Sequence, residues 1–231
     1  MKSVFSLILL VVLGAGVVFT LSSIPFGSTS SDVGEYYIDS GRADTGATNI
    51  VTSVVVGYRA FDTLGEVTVL FVAAIGLGAI LAAGRENEEK KKAEWEPASL
   101  VLYTGCRFLF PLILLFGAYV FIHGHLTPGG GFQGGAVIAS AFLMVYLGCR
   151  KKRISRTWAR NTESISGLVF VVTGLTGLAV GGHYFLSNFL PEGTLNTLFS
   201  AGIIPIIYIA IGLKVGSELT GVIDDLIEES E

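Results

Sequence analysis

Six stretches of this sequence are long and apolar enough to cross a bilayer, and that limits the chain more than any other feature. The first, Val4–Leu21, is almost uncharged and follows Lys2. At 1.5 Å of rise per residue it spans a hydrocarbon core of about 30 Å. A secretory signal peptide is the competing reading. The run is long for one and lacks a clear small-x-small cleavage site, so a retained helix is expected. Further apolar segments cover about Ile50–Ala83, Ala98–His123, Phe132–Leu147, Thr162–Gly181 and Leu195–Gly216. The expected fold is an all-α integral membrane protein with about six transmembrane helices, two in an N-terminal module and four in a C-terminal one.

Composition agrees. Hydrophobic residues make up 51% of the chain and charged residues 15%, where a soluble domain carries about 25% charged residues. The net charge of −4 says little, because the charges are segregated into loops. No basic face with interleaved aromatics appears, which argues against a nucleic-acid partner. Cys106 and Cys149 lie in apolar segments and provide neither a disulfide framework nor a four-ligand metal site. Buried free thiols are expected.

The second apolar segment opens with Gly57–Phe71, reading GYRAFDTLGEVTVLF. Arg59, Asp62 and Glu66 are spaced i, i+3 and i+7, so on a helix they share one face. A lone carboxylate leading into hydrocarbon costs roughly 2.5–3.5 kcal/mol on insertion scales. Such groups tend to face a bundle interior or a water-filled cavity, and they often mark ion paths. The plainer reading anchors Arg59 and Asp62 at the headgroups, with Glu66 just inside. Ile50–Ala83 is about 50 Å long if straight, too long for one perpendicular crossing. Either its first part lies shallow, or the helix breaks near Gly57 or Gly65. A break at Gly65 would set Glu66 beside freed backbone groups.

Between these segments the chain is polar. Ser22–Asn49 reads as a connecting loop with a short turn near Glu35–Ile38. Gly84–Pro97 (GRENEEKKKAEWEP) reads as a solvated linker and the module boundary. Arg107 lies inside the third segment, where it either snorkels to the nearer interface or enters an internal ion pair; Pro111 should kink that helix. The run HGHLTPGGGFQGG (His123–Gly135) is a tight reversal with positive φ available to its glycines. GGG without a following Lys-Ser/Thr is no phosphate loop. His123 and His125 lack an evident third metal ligand nearby, so hydrogen bonding within the loop is the expected role; a part in proton relay stays open. Gln133 stands at the start of the next helix. The glycines Gly167, Gly174, Gly177 and Gly181 suit close helix packing. Pro205 is expected to kink the sixth helix and Lys214 lies near its end, ahead of an acidic stretch (Glu218, Asp224, Asp225, Glu228, Glu229, Glu231) that reads as a solvated terminus.

Lys and Arg concentrate in 84–97 and 150–160, which six crossings place on the same side as Lys2. The positive-inside rule makes that side, and both termini, cytoplasmic.

GYRAFDTLGEVTVLF closely resembles the signature in the C-terminal part of the large A subunit of Mrp-type multisubunit cation/proton antiporters. That segment is a small separate subunit, of E type, in archaeal membrane-bound hydrogenases. From about residue 98 the chain resembles the antiporters' B subunit, whose mark is the loop reading here IHGHLTPGGGFQGG. The expected organisation is a two-helix module over 1–85, a charged linker over 86–97, a four-helix B-type module over 98–220 and an acidic tail over 221–231. The covalent join of two neighbouring subunits departs from the usual pattern.

The resemblance implies a membrane subunit in the sodium/proton antiporter-like part of a large complex in the cell membrane. Its expected partners are the large antiporter-like subunits, small Mrp-type subunits and the bilayer, and in a respiratory complex a hydrogenase-like or sulfane-reducing arm. No cofactor and no catalytic site are expected in this chain. The family's acidic motif residue matches Glu66 and is placed next to an ion path; Asp62 and Arg59 match by position. His123, His125, Gln133, Arg107 and Lys214 are secondary candidates. Two functions follow: an ion-conducting accessory subunit with Glu66 protonating reversibly, or a structural scaffold between the large subunits.

Overall fold

A computed structural model of the chain describes residues 2–23, 32–85, 98–149, 155–181 and 184–229. Most of the charged linker, the basic run 150–154 and His183 lie outside the described residues. Helices account for nearly all of the described structure, and six of them are long and apolar enough to span a membrane. The chain divides into two compact units, 1–36 and 37–231.

The first unit contains α1 (Lys2–Ser22) and the start of α2 (Asp32–Thr45). Side chains along α1 from Val4 to Leu21 are exposed. The hydroxyls of Thr20 and Ser22 near its end bond back to Gly16 O and Phe19 O, so these side chains are satisfied within the helix. α2 corrects the expectation of a loop with a short turn. Asp32 and Glu35 in its first turn and Arg42 in its last suit the helix dipole.

In the second unit, Tyr37 of α2 stacks on Tyr58 with ring centroids 4.7 Å apart. Tyr58 OH donates to Asp44 Oδ2 at 2.6 Å, and the Thr45 and Ser53 hydroxyls are 2.8 Å apart. Those contacts, invisible to local pattern, hold α2 against the next segment. That segment is α3 (Ile50–Thr52), which runs into a π-helical stretch over Ser53–Tyr58. The chain breaks at Arg59 (φ −119°, ψ 39°) and resumes as α4 (Ala60–Arg85). Of the two breaks considered, the one beside Gly57 occurs, and Gly65 lies within α4. The buried Thr63 hydroxyl donates to Val55 O at 2.7 Å, taking up a carbonyl released at the break.

α5 (Leu100–Ile122), α6 (Gly131–Cys149), α7 (Arg156–Gly181) and α8 (Ile204–Glu229) complete the unit. Ser99 caps α5 by accepting from Leu102 N. α8 is the central post, packed against α4, α5, α6 and α7. Ile204, Ile207, Tyr208, Ile211 and Val215 on α8 are at most 6% exposed and join Val56, Ala60 and Val67 in one core. α4 therefore belongs to the same packed body as the C-terminal helices.

Two readings of the glycines change. Positive φ among the described glycines occurs at Gly46, Gly193 and Gly202, and not in the GGG run. Gly131 is needed for proximity instead: a Cβ there would lie 2.6 Å from Ile211 Cβ. On α7, Gly174 and Gly177 admit Phe185 and the Ser187 backbone of the following loop, not another helix; Gly167 alone faces the Lys214 side chain. The acidic stretch is also not a solvated terminus. α8 continues to Glu229, with Glu218 3% and Asp224 6% exposed.

Candidate functional site

The π-stretch and the break at Arg59 present the first turns of α4. Arg59 Nη2 lies 2.5 Å from Asp62 Oδ2, an i,i+3 pair with both side chains more than half exposed. Glu66 follows one turn later, also exposed, and makes no ion pair among the described residues. The motif thus occupies the open side of α4 and not the interior of this chain's helix packing. Phe61, Val69 and Val72 surround it with exposed apolar surface. A carboxylate so placed in a membrane span needs a neighbouring polar surface or water, since hydrocarbon offers neither hydrogen bonds nor counter-charge.

Behind that face, the His-Gly loop is tied to the start of α3. Asn49 caps the helix by accepting from Val51 N at 3.0 Å, and its Nδ2 donates to Gly124 O at 2.8 Å and Thr127 O at 3.0 Å. Thr52 Oγ1 donates to Gly124 O, and Tyr208 OH donates to Thr52 Oγ1, each at 2.8 Å. A Cβ added at Gly124 would lie 2.8 Å from the Tyr208 ring, so the ring packs where only glycine fits. The loop's role in this chain is a joint between α3, the α5–α6 turn and α8.

The secondary candidates separate around this joint. His123 stacks on Tyr119 at 4.3 Å, its Nδ1 3.2 Å from Tyr119 O. His125 is fully buried, and among the described residues neither ring nitrogen has a partner in hydrogen-bond geometry. Burial pushes its imidazole below the ordinary value; nearby backbone at Thr197 opposes this in part and His123 adds to it. Gln133 is exposed, with its side-chain oxygen against Gly130. Arg107 is exposed on α5 and donates to Tyr103 OH at 3.1 Å, its guanidinium 5.5 Å from that ring's centre. No ion pair forms there among the described residues.

Lys214 differs from all of these. It is 7% exposed, donates to Glu218 Oε2 at 2.7 Å, and lies 3.7 Å from Glu163 Oε1 on α7. Its ammonium also sits 5.1 Å from the centre of the Phe71 ring on α4. Glu218 and Glu163 were missed as partners in the sequence, although Lys214 and Glu218 are spaced i, i+4 next to an apolar run. Asn49, Thr52 and Tyr208 carry no sequence signal of their joint, because it forms between distant segments. Cys106 is buried, Cys149 half-buried, and both are free thiols.

Residues 101–221 match the family of domains related to the MnhB subunit of Na+/H+ antiporters, and residues 1–94 match MbhE, the E-type subunit of MBH. An uncharacterized protein of Methanocaldococcus jannaschii is 31% identical over 226 residues, covering 88% of this chain and 84% of that protein. A chain in the membrane-bound sulfane sulfur reductase, an archaeal respiratory membrane complex, is similar at TM-score 0.78 and 46% identity over 97% of both chains. A chain in the Mrp complex from Dietzia sp. DQ12-45-1b gives a TM-score of 0.74 at 28% identity, over 97% of this chain but 26% of that one.

Proposed function

We propose a specific part for this chain in ion translocation, on the premise that it belongs to the family of domains related to the MnhB subunit of Na+/H+ antiporters, with an MbhE-type module fused ahead of it. It is a multi-pass membrane subunit of a multisubunit complex of the Mrp and sulfane-reductase kind. Its part is an ion path at a subunit interface, in which Glu66 takes up and releases a proton while Asp62 and Arg59 set its electrostatic surroundings.

One observation carries this reading. Glu66 is exposed on the chain's own surface within an apolar span whose other charge, Asp62, is paired with Arg59. The charge is too costly for lipid, at roughly 2.5–3.5 kcal/mol on insertion scales. A neighbouring subunit must cover it or line a wet path with it. The large antiporter-like subunits and the small Mrp-type subunits are the partners this surface fits. The likeness to the sulfane reductase chain, 46% identical along almost the full length, supports a redox-driven complex with a peripheral arm over a stand-alone antiporter. The plasma membrane is the expected site, with both termini cytoplasmic by the Lys/Arg asymmetry.

The test is cation/proton exchange in inverted vesicles, with assembly checked on the same membranes. Glu66→Gln should leave the complex assembled and exchange strongly impaired, while Glu66→Asp keeps part of it. Normal flux in an assembled Glu66→Gln complex would instead favour a scaffold, a role to which the broad exposed apolar faces of α1, α4 and α5 are suited.

A further inference from the structure

A second group of ionisable side chains meets within the C-terminal helices, apart from the Arg59–Asp62–Glu66 motif. Helical rise sets Lys214 about 15 Å from Ile204 and about 22 Å from Glu229 along α8, close to mid-span. Glu218 is one turn further on. With Lys214 protonated and both Glu163 and Glu218 ionised, the cluster holds one uncompensated negative charge in a low-dielectric interior. Such a charge is costly unless a cation, the smallest being a proton, neutralises it. Glu218 Oε1 is buried and has no hydrogen-bond partner among the described residues, although its other oxygen is held by Lys214. A buried unsatisfied acceptor is penalised, and protonation of this carboxylate would relieve the penalty.

The cluster is not sealed. A cavity of about 170 Å³, roomy enough for several water molecules, lies between α6, α7 and α8; Tyr146, Arg160, Glu163, Ser217 and Asp224 are among its lining residues. Glu163 belongs to both places: it lines the cavity with its side chain 24% exposed and approaches Lys214 with Oε1. Arg156, at the start of α7, bonds Asp224 at 3.2 Å and Asp225 at 3.0 Å and also pairs with Glu228, so ionic groups frame the cavity's outer end. That end lies at the start of α7, where Arg156 and Arg160 stand. Among the described residues, the charged and titratable groups that line the cavity are Tyr146 on α6, Arg156, Arg160 and Glu163 on α7, and Asp224 and Asp225 on α8; Lys214 lies beyond Glu163, against the Phe71 ring of α4.

We propose that Glu163, Lys214 and Glu218 form a proton-exchange site inside the C-terminal helices, loaded through this cavity from the end where Arg156 stands. A hydronium in the cavity protonates the Glu163 carboxylate and leaves water. The Lys214 ammonium passes a proton to Glu218 and regains one from Glu163. One proton has then moved from water to Glu218, and no group has been oxidised or reduced. The proposal rests on the reading that the chain works in an ion-translocating complex, but not on any role for Glu66.

The experiment uses the purified intact complex and two readouts. In pH-difference infrared spectra between about pH 5 and pH 9, a range that brackets ordinary and strongly perturbed carboxyls, the protonated-carboxyl signal should lose intensity in both Glu218→Gln and Glu163→Gln. It should be unchanged in Glu66→Gln outside that residue's own contribution. Exchange in inverted vesicles should fall by about 100-fold or more in Glu218→Gln, as loss of a positioned proton-transfer group does. The double variant Lys214→Met/Glu218→Leu removes the charges together and avoids stranding a buried ammonium, so it keeps the test open if the single variant fails to assemble. Wild-type exchange in the assembled double variant, or unaltered carboxyl spectra in Glu218→Gln and Glu163→Gln, overturns the proposal. Failure of Glu66→Gln to alter flux would count only against the Glu66 reading.

Discussion

Asn49 Nδ2 donates to the carbonyl oxygen of Gly124 at 2.8 Å, joining residues 75 apart in the sequence. The same side chain caps α3 and holds Thr127 O, so one amide organises a helix start and the α5–α6 turn together. Asn49→Ala removes the cap, worth about 1 kcal/mol, and strips a donor from two loop carbonyls, at about 1–3 kcal/mol for each one left unsatisfied. Thermal unfolding of the purified complex should show a clear loss. Asn49→Ser, which keeps the cap alone, should fall between the two. Equal stability of all three would disprove the joint.

Gly131 meets α8 more closely than any side chain could. An added Cβ would lie 2.6 Å from Ile211 Cβ and 3.0 Å from Tyr208 O. Gly131→Ala should therefore destabilise by about 1–3 kcal/mol through overpacking. Gly105, in α5, has nothing within 4 Å of its added Cβ, and Gly105→Ala should be neutral or gain up to about 1 kcal/mol from helix propensity. Thermal melts of the two variants, compared side by side, check the contrast.

His125 makes the His-Gly loop sensitive to acid. Its folded-state pKa lies below the ordinary 6.5, mainly because burial disfavours the imidazolium. Below 6.5 the undocked loop therefore binds more protons than the docked one. The stabilisation is complete above that pH and is lost as pH falls toward the folded value. The protection factors of residues 122–131, taken relative to the intrinsic exchange rate at each pH, should fall when pH drops from about 7.5 to about 5.5. His125→Gln, which cannot charge, should flatten that dependence, whatever it does to the baseline.

Orientation follows from the charge asymmetry. In a chain with Cys106 and Cys149 replaced by alanine, Ile154→Cys should resist a membrane-impermeant maleimide in intact cells and react in inverted vesicles. Thr194→Cys, in the loop between α7 and α8, should behave the opposite way. Labelling of Ile154→Cys from outside intact cells would reverse the assignment.

These outcomes depend on two kinds of information. Sequence alone determined the helical membrane class and the number of spans, because hydrocarbon length and the expense of charge act residue by residue along the chain. It also put Asp62 and Glu66 one turn apart on one helix, since i,i+4 spacing is a property of the helix itself, whereas Arg59 stands at the break ahead of α4. Both family-like motifs were readable as strings. Their work was not: the GGG run looked like a source of positive φ, and only the approach of Ile211 on α8 showed that Gly131 is there to leave room.

What tertiary structure decided was every matter of facing. It turned Glu66 outward from the chain, held α2 against the next segment through the Tyr37–Tyr58 stack, and placed the chain break at Arg59, near Gly57. It drew Glu218 and Asp224 out of a supposed solvated tail into the packing of α7 and α8. The reason is physical. Period and composition state which side chains share a side of a helix, whereas burial, pairing and desolvation depend on the neighbour opposite, which the fold brings in from distant sequence.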